Sequence, residues 1–136
     1  MELALKCLSR RAYSRGKMVA RLTRAGFDED QIAECVGRLE NWGYLNDREF
    51  GIGRIVTLQA RLKSRNYVMG DLESQGIVSE MVQELLAEFY PEEMELEIAY
   101  KLLKKKQRAK DKGCGVLARA GFAETTIRRC FPDINI

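Results

Sequence analysis

The 136-residue chain contains no histidine. Histidine-dependent triads, histidine general bases and His-bearing zinc sites are thereby excluded. Cysteine is sparse: Cys7, Cys35, Cys114 and Cys130 stand apart, with no C-x-x-C pair to mark a metal or redox motif. They are expected as small apolar residues on helical core faces. A disulfide framework does not suit a chain of this size without an export signal. The N-terminus does not read as such a signal, because Glu2 comes first, the apolar stretch is short, and Arg10 and Arg11 follow it. No uncharged run exceeds about six residues, whereas a membrane-spanning helix needs about 20 apolar ones. Cytoplasmic residence is the expectation. A phosphate-binding G-x-x-x-x-G-K-[ST] loop is also lacking, so independent ATP hydrolysis is not expected. Carboxylates occur in solvent-like acidic runs without visible pairing. The expectation is a non-enzymatic protein without cofactor or metal.

What the chain does have is helix formers. Proline occurs only twice, and Leu, Ala, Glu, Lys and Arg are frequent. No Asn-Gly or Asp-Gly turn separates alternating runs, so strands are not indicated. Breakers fall at Gly26, Gly43, Gly76, Pro91, Gly121 and Pro132, and between them the apolar spacing is three and four. Leu3, Leu5 and Leu8 carry a first helix, Met18, Val19 and Leu22 a second, and Ile32, Val36 and Leu39 a third. Asp28 with Gln31 can form a capping box for the third. A fourth is expected from Asn46 to Lys63. Pro91 suits the first turn of another. In that helix Glu92, Glu93, Glu95 and Glu97 lie early and Lys104 to Lys106 late, which complements the helix dipole.

The strongest pattern is an internal repeat. When Gly26, Gly76 and Gly121 are aligned, Leu22, Leu72 and Leu117 stand four residues before them. Phe27, Ile77 and Phe122 follow directly, and Ile32, Val82 and Ile127 come six residues after. This reads as helix, glycine turn, helix, with the glycine in the left-handed position that ends the first of the two. The residue after it is expected to pack back on the preceding helix. Each copy is a three-helix unit, at residues 1–44, 45–90 and 91–136. The expected fold is all-α, an elongated, curved tandem array of three three-helix repeats with nine helices.

Charge is segregated beneath a net charge of +3. Residues 1–24 hold seven basic residues and one acidic, residues 54–67 four and none, and residues 101–112 seven and one. The intervening stretches are acidic, reaching −9 over residues 68–100. The basic blocks nominate Arg10, Arg11, Arg15, Lys17, Arg21 and Arg24, then Arg61, Lys63 and Arg65, then Lys104, Lys105 and Arg108. Such a face suits phosphate or an acidic protein groove; solvated helix faces are the plainer alternative. Lys17 stands where a capping box begun by Ser14 would carry Glu, and a cation in a first helical turn costs stability, which points to another use. Tyr13 and Tyr67 adjoin the basic stretches. Trp42 and Tyr44, beside Gly43, are expected to pack in the core at a junction between units. An exposed interface anchor is the other reading.

Gly43-Tyr44-Leu45-Asn46-Asp47-Arg48-Glu49-Phe50 resembles the Gly-aromatic-aliphatic-(Asp/Asn)-Asp-x-x-Phe segment of the RecX family, regulators of the RecA recombinase. Ala4-Leu5 through Leu8, Arg11, Tyr13-Ser14-Arg15 and Leu22 are similar to that family's opening. Gly76-Ile77 and Ala118-Arg119-Ala120-Gly121-Phe122 are similar to its second and third copies. The resemblance implies a cytoplasmic bacterial protein, taken here as a monomer, that binds RecA in the groove of its filament on single-stranded DNA. It implies inhibition of ATP hydrolysis and strand exchange, and so a part in recombinational DNA repair and the DNA-damage response. Such a place leaves room for direct contact with single-stranded DNA. The chain departs from the family pattern at Lys17-Met18, where Glu-Leu is usual, at Gly51, where Ala is usual, and at Ser64-Arg65-Asn66-Tyr67, where a Gly is usual. Gly113 and Gly115 are further expected to weaken the eighth helix. An independent nucleic-acid-binding helical protein and a generic helical scaffold are the alternatives.

Overall fold

The computed structural model describes residues 1–106 and 110–131. Among these residues there are nine α-helices and no strand: α1 (Glu2–Arg10), α2 (Arg15–Arg24), α3 (Glu29–Asn41), α4 (Asp47–Ala60), α5 (Arg65–Ser74), α6 (Ser79–Phe89), α7 (Glu92–Lys106), α8 (Lys110–Arg119) and α9 (Glu124–Cys130). No helix among the described residues is long and apolar enough to cross a membrane. The closest helix pairings fall within successive triplets: α2 against α1 and α3, then α4, α5 and α6 together, then α7, α8 and α9 together.

The repeated glycines do what their spacing predicts. Gly26, Gly76 and Gly121 have φ of 98°, 85° and 86°, a region open to glycine at little cost. The amide of Gly26 donates to Thr23 O at 3.0 Å and that of Phe27 to Leu22 O at 3.3 Å. The same pair of bonds closes α5 through Gly76 and Ile77, and α8 through Gly121 and Phe122. These satisfy carbonyls that the helix end would otherwise leave bare. Asp28 and Gln31 form the expected capping box on α3. The breaker expected at Pro132 lies outside the described residues.

Leu22, Leu72 and Leu117 are buried in all three copies. The buried side chains form two cores rather than one. The first holds Ala4, Cys7, Met18, Leu22, Ile32, Cys35, Val36, Leu39 and Leu45. The second runs without a break through the second and third triplets, from Ile55 to Ile127, with Tyr90, Leu72 and Leu85 fully buried in it. Gly113 lets this core close: a Cβ there would meet Phe131 at 2.6 Å and Leu103 at 3.0 Å. At Gly51 a Cβ would meet Leu85 at 2.5 Å, so the larger leucine occupies the room that an alanine would need.

Several expectations are corrected. On α1 the buried face is Ala4 and Cys7; Leu3 and Leu8 are half-buried and Leu5 is exposed. Helix α4 stops at Ala60, because Leu62 turns left-handed at φ 61° and the Lys63 amide returns to Leu58 O. This reversal positions Ser64 to start α5. Phe27 is 39% exposed, against 4% and 5% for its copies Ile77 and Phe122. It borders an open recess with Met1, Leu22 and Ile32. Trp42 and Tyr44, expected in the core, are each 56% exposed and meet edge to face. Glu95 leaves the acidic run altogether and is 2% exposed.

The triplets are joined by one polar device used twice. Ser14 and Ser64 are fully buried N-caps of α2 and α5, accepting the amides of Lys17 and Tyr67. Each hydroxyl also donates forward to the next triplet: Ser14 to Gln75 O at 2.5 Å, and Ser64 to Ala120 O at 3.1 Å. The next residue's amide is received by a carboxylate of the following triplet, Arg15 by Asp47 at 2.8 Å and Arg65 by Glu95 at 2.9 Å. Glu95 further accepts the Thr126 hydroxyl and the Ala123 amide, tying down the start of α9. At the first junction Gly16 lies against Gly76 backbone to backbone; at the second, Asn66 donates its side-chain amide to Gly121 O.

Two predictions rest on these contacts. Ser64→Ala removes a cap, worth about 1 kcal/mol, and strips the Ala120 carbonyl of a bond, worth about 1 kcal/mol more; urea unfolding should show the combined loss. Burial pushes the Tyr90 phenol above its ordinary range, with Glu95 adding to the effect. Burial, with Cys114 nearby, pushes the Cys130 thiol up to about 11 from 9.0. Both groups hold their protons more tightly folded than unfolded, so their contribution is intact below the ordinary values and fades as pH rises through the folded ones. Stability should therefore decline between pH 9 and 11, and Cys130→Ala should flatten the decline in thermal melts across that range.

Candidate functional site

The acid that a helix N-terminus favours reaches α2 and α5 from the next triplet, not from their own first turns. Neither helix has an acidic residue there. Position N3 is consequently released from capping duty, and it carries Lys17 in α2 and Tyr67 in α5. Both side chains are exposed. The cation at Lys17 that sequence alone renders anomalous thus belongs to a helix start already compensated by Asp47.

A groove opens beside each of these positions, at the junction of successive triplets. The first, about 380 Å³, is lined by Arg11, Ala12, Tyr13, Lys17, Phe50, Arg54 and Gln75. The second, about 600 Å³, is lined by Arg61, Leu62, Lys63, Tyr67, Leu102, Lys105, Val116, Arg119 and Ala120. They are the same place in the repeat: Arg11, Tyr13 and Lys17 lie 50 residues before Arg61, Lys63 and Tyr67, and Gln75 lies 45 before Ala120. The lysine and the tyrosine have exchanged positions between the copies. In both, a cation stacks on the ring, Arg11 at 4.8 Å from the Tyr13 centroid and Lys63 at 4.7 Å from that of Tyr67. Among the described residues no carboxylate lines either groove.

The first groove continues around α2. Arg11 and Tyr13 also border a recess with Lys17, Arg21 and Arg24, and another with Lys6, Arg10 and Arg21. Of the residues nominated from sequence, Arg10, Arg11, Lys17, Arg21 and Arg24 are therefore gathered on one side of the first triplet. Arg61, Lys63 and Lys105 are gathered in the second groove. Lys104 is exposed on α7 outside the groove lining. Arg15 is turned aside to Glu40 at 3.3 Å. Arg65 serves the fold, its Nε donating to Tyr90 O while the Tyr90 hydroxyl donates to Lys63 O. Arg108 lies outside the described residues.

Arg54, counted in the basic block at 54–67 but not nominated from it, and Arg119, outside the blocks, also line the grooves. Arg54 is held by Asp71 through two bonds of 2.6 and 2.9 Å, and hydrogen bonding to Asp71 pushes its guanidinium pKa further up. Arg119 was legible from the repeat itself, for it stands two residues before Gly121 as Arg24 stands before Gly26.

The fold and its paired grooves define an all-helical repeat protein. A family model described as RecX, first three-helix domain, matches residues 1–39. The regulatory protein RecX of Syntrophotalea carbinolica is 29% identical over 143 residues, covering 96% of this chain and 92% of that one. That of Thermus thermophilus is 37% identical over 90 residues, covering 66% and 62%. That of Caldanaerobacter subterraneus subsp. tengcongensis is 26% identical over 106 residues; the match covers 78% of this chain and only 54% of the relative. The crystal structure of RecX from Lactobacillus salivarius superimposes with a TM-score of 0.86 at 20% identity, over 97% of this chain and 92% of the other, which bears on the fold alone. The chain is thus similar to regulatory proteins named RecX, in sequence over most of its length and in fold over nearly all of it.

The two kinds of arginine should separate in stability measurements. Arg65→Ala removes a charged donor from a buried carbonyl and should lose about 2 kcal/mol in urea unfolding. Arg61→Ala, in the open groove, should stay within about 0.5 kcal/mol of the parent protein.

Proposed function

We propose that this chain regulates the RecA recombinase by docking, without catalysis of its own, on the filament that RecA forms on single-stranded DNA. The observation that carries the reading is the recurrence of one basic, aromatic-bearing groove at successive junctions of a helical array. A filament is itself periodic and polyanionic, and a ligand with repeated cationic grooves can engage it at several points at once. Multiple weak contacts along one ligand add steeply in avidity. The three units, at residues 1–44, 45–90 and 91–136, then act as a monomeric wedge in the filament groove. Bridging neighbouring protomers hinders their closure and exchange. The result is lower ATP hydrolysis and strand exchange, and through them restraint of recombinational repair and the DNA-damage response in the bacterial cytoplasm.

The similarity to regulatory proteins named RecX supports this reading independently of the grooves. The test is ATP hydrolysis by RecA on single-stranded DNA, followed with increasing amounts of this protein. Hydrolysis should fall, and the triple variant Arg61→Ser, Lys63→Ser, Arg119→Ser should blunt the fall without unfolding the chain. Unchanged hydrolysis at several-fold molar excess of the parent protein would sink the proposal.

A further inference from the structure

We infer that the grooves at Tyr13 and Tyr67 are direct binding sites for single-stranded nucleic acid, each taking a backbone phosphate on its cations and an unstacked base on its ring. The inference deepens the filament reading and rests on it for its biological setting, yet its physical content can be tested without RecA.

Charge alone does not choose between a nucleic acid and an acidic protein segment, because phosphate and carboxylate both suit arginine and lysine. The rings decide it. Each groove places a tyrosine among its cations, and each ring is covered on one side by a cation at 4.7 or 4.8 Å. Tyr67 remains 48% exposed, so its ring is open to a further planar partner. Aromatic stacking adds little to carboxylate binding but is the recurring means of holding bases, with arginine contributing from the other face. A stacked duplex keeps its base faces covered, and only an unpaired strand can offer them.

The construction also repeats at both junctions. Tyrosine and lysine exchange positions between Tyr13 and Lys17 in one copy and Lys63 and Tyr67 in the other, yet each ring carries a cation, Arg11 on Tyr13 and Lys63 on Tyr67. Lys17 and Tyr67 are exposed on their helices, while Tyr13 also leans on the first core. The second groove collects Arg61, Lys63, Lys105 and Arg119 from α7, α8 and the reversal before α5, with no carboxylate lining it among the described residues. A strand that crosses one junction can meet the same chemistry again at the next.

The test is anisotropy of a labelled oligothymidylate long enough to span both grooves, titrated with the full chain across a series of salt concentrations. Binding is expected to prefer the single strand over a duplex of the same length. Tyr67→Leu should weaken it about tenfold and Tyr67→Phe should restore it. Arg119→Ser should reduce the salt slope by about 0.7, which keeps the inference testable should the Tyr67→Leu chain fail to fold. Arg38→Ser, on α3 and in neither groove, should leave both quantities alone. The inference is overturned if the strand does not bind at low salt, if Tyr67→Leu binds like the parent, or if polyglutamate binds as tightly as the oligonucleotide. Loss of filament regulation with strand binding intact would instead count against the filament reading alone.

Discussion

The starts of the middle helices α2 and α5 are each completed by the triplet that follows. A buried serine hydroxyl accepts from its own helix and donates to the closing turn of the next middle helix, while an imported carboxylate meets the adjacent amide. Every other feature of the junction is fitted around that pair of bonds. The left-handed glycine must end the receiving helix so that its last carbonyl faces outward. The neighbouring backbones must approach closely, through Gly16 and Gly76 at one junction and through Asn66 and Gly121 at the other. The string from Gly43 to Phe50 then reads as a set of separate physical tasks. Gly43 turns the chain at φ 81°, Leu45 fills the first core, Asn46 caps α4, and Asp47 reaches back to Arg15.

The chemistry of the surface follows from this arrangement. A helix that receives its acid from outside has no need of one in its first turn, and lysine or tyrosine can occupy the site. The same contact that joins two triplets therefore sets the sign of the charge beside the joint. Buried polar groups are paired throughout: among the described residues no buried side-chain nitrogen or oxygen lacks a partner, as expected where an unpaired one costs more than a made bond returns.

Much of the fold was legible because its signals are local. Leucine four before a glycine, an apolar residue just after, and an aliphatic six after are short-range rules, and they located the turns of all three copies. The residues that sequence misplaced depend on distant partners. Nothing local to Glu95 tells it from Glu92 or Glu93; it is buried because Arg65 and Thr126 converge on it from either side. Arg65 looked like one more cation of a basic block until Tyr90 O claimed it. Trp42 was assigned to the core by its size, whereas Leu45 fills the place at the end of α3 and leaves the indole outside. Arg119, by contrast, needed only the repeat alignment carried one position further.

The separation into two apolar cores bears on how the molecule breathes. The first core closes within its own triplet and Leu45, and what ties it to the remainder is chiefly polar: a hydroxyl, a carboxylate and a close glycine pair. Parting that seam exposes little oily surface, so it should be the lowest-lying cooperative opening of the chain, well below global denaturation. Backbone amides around Ser14 and Arg15 would then trade their hydrogens with solvent sooner than those deep in α5 and α6, with the leading triplet parting as a preformed body.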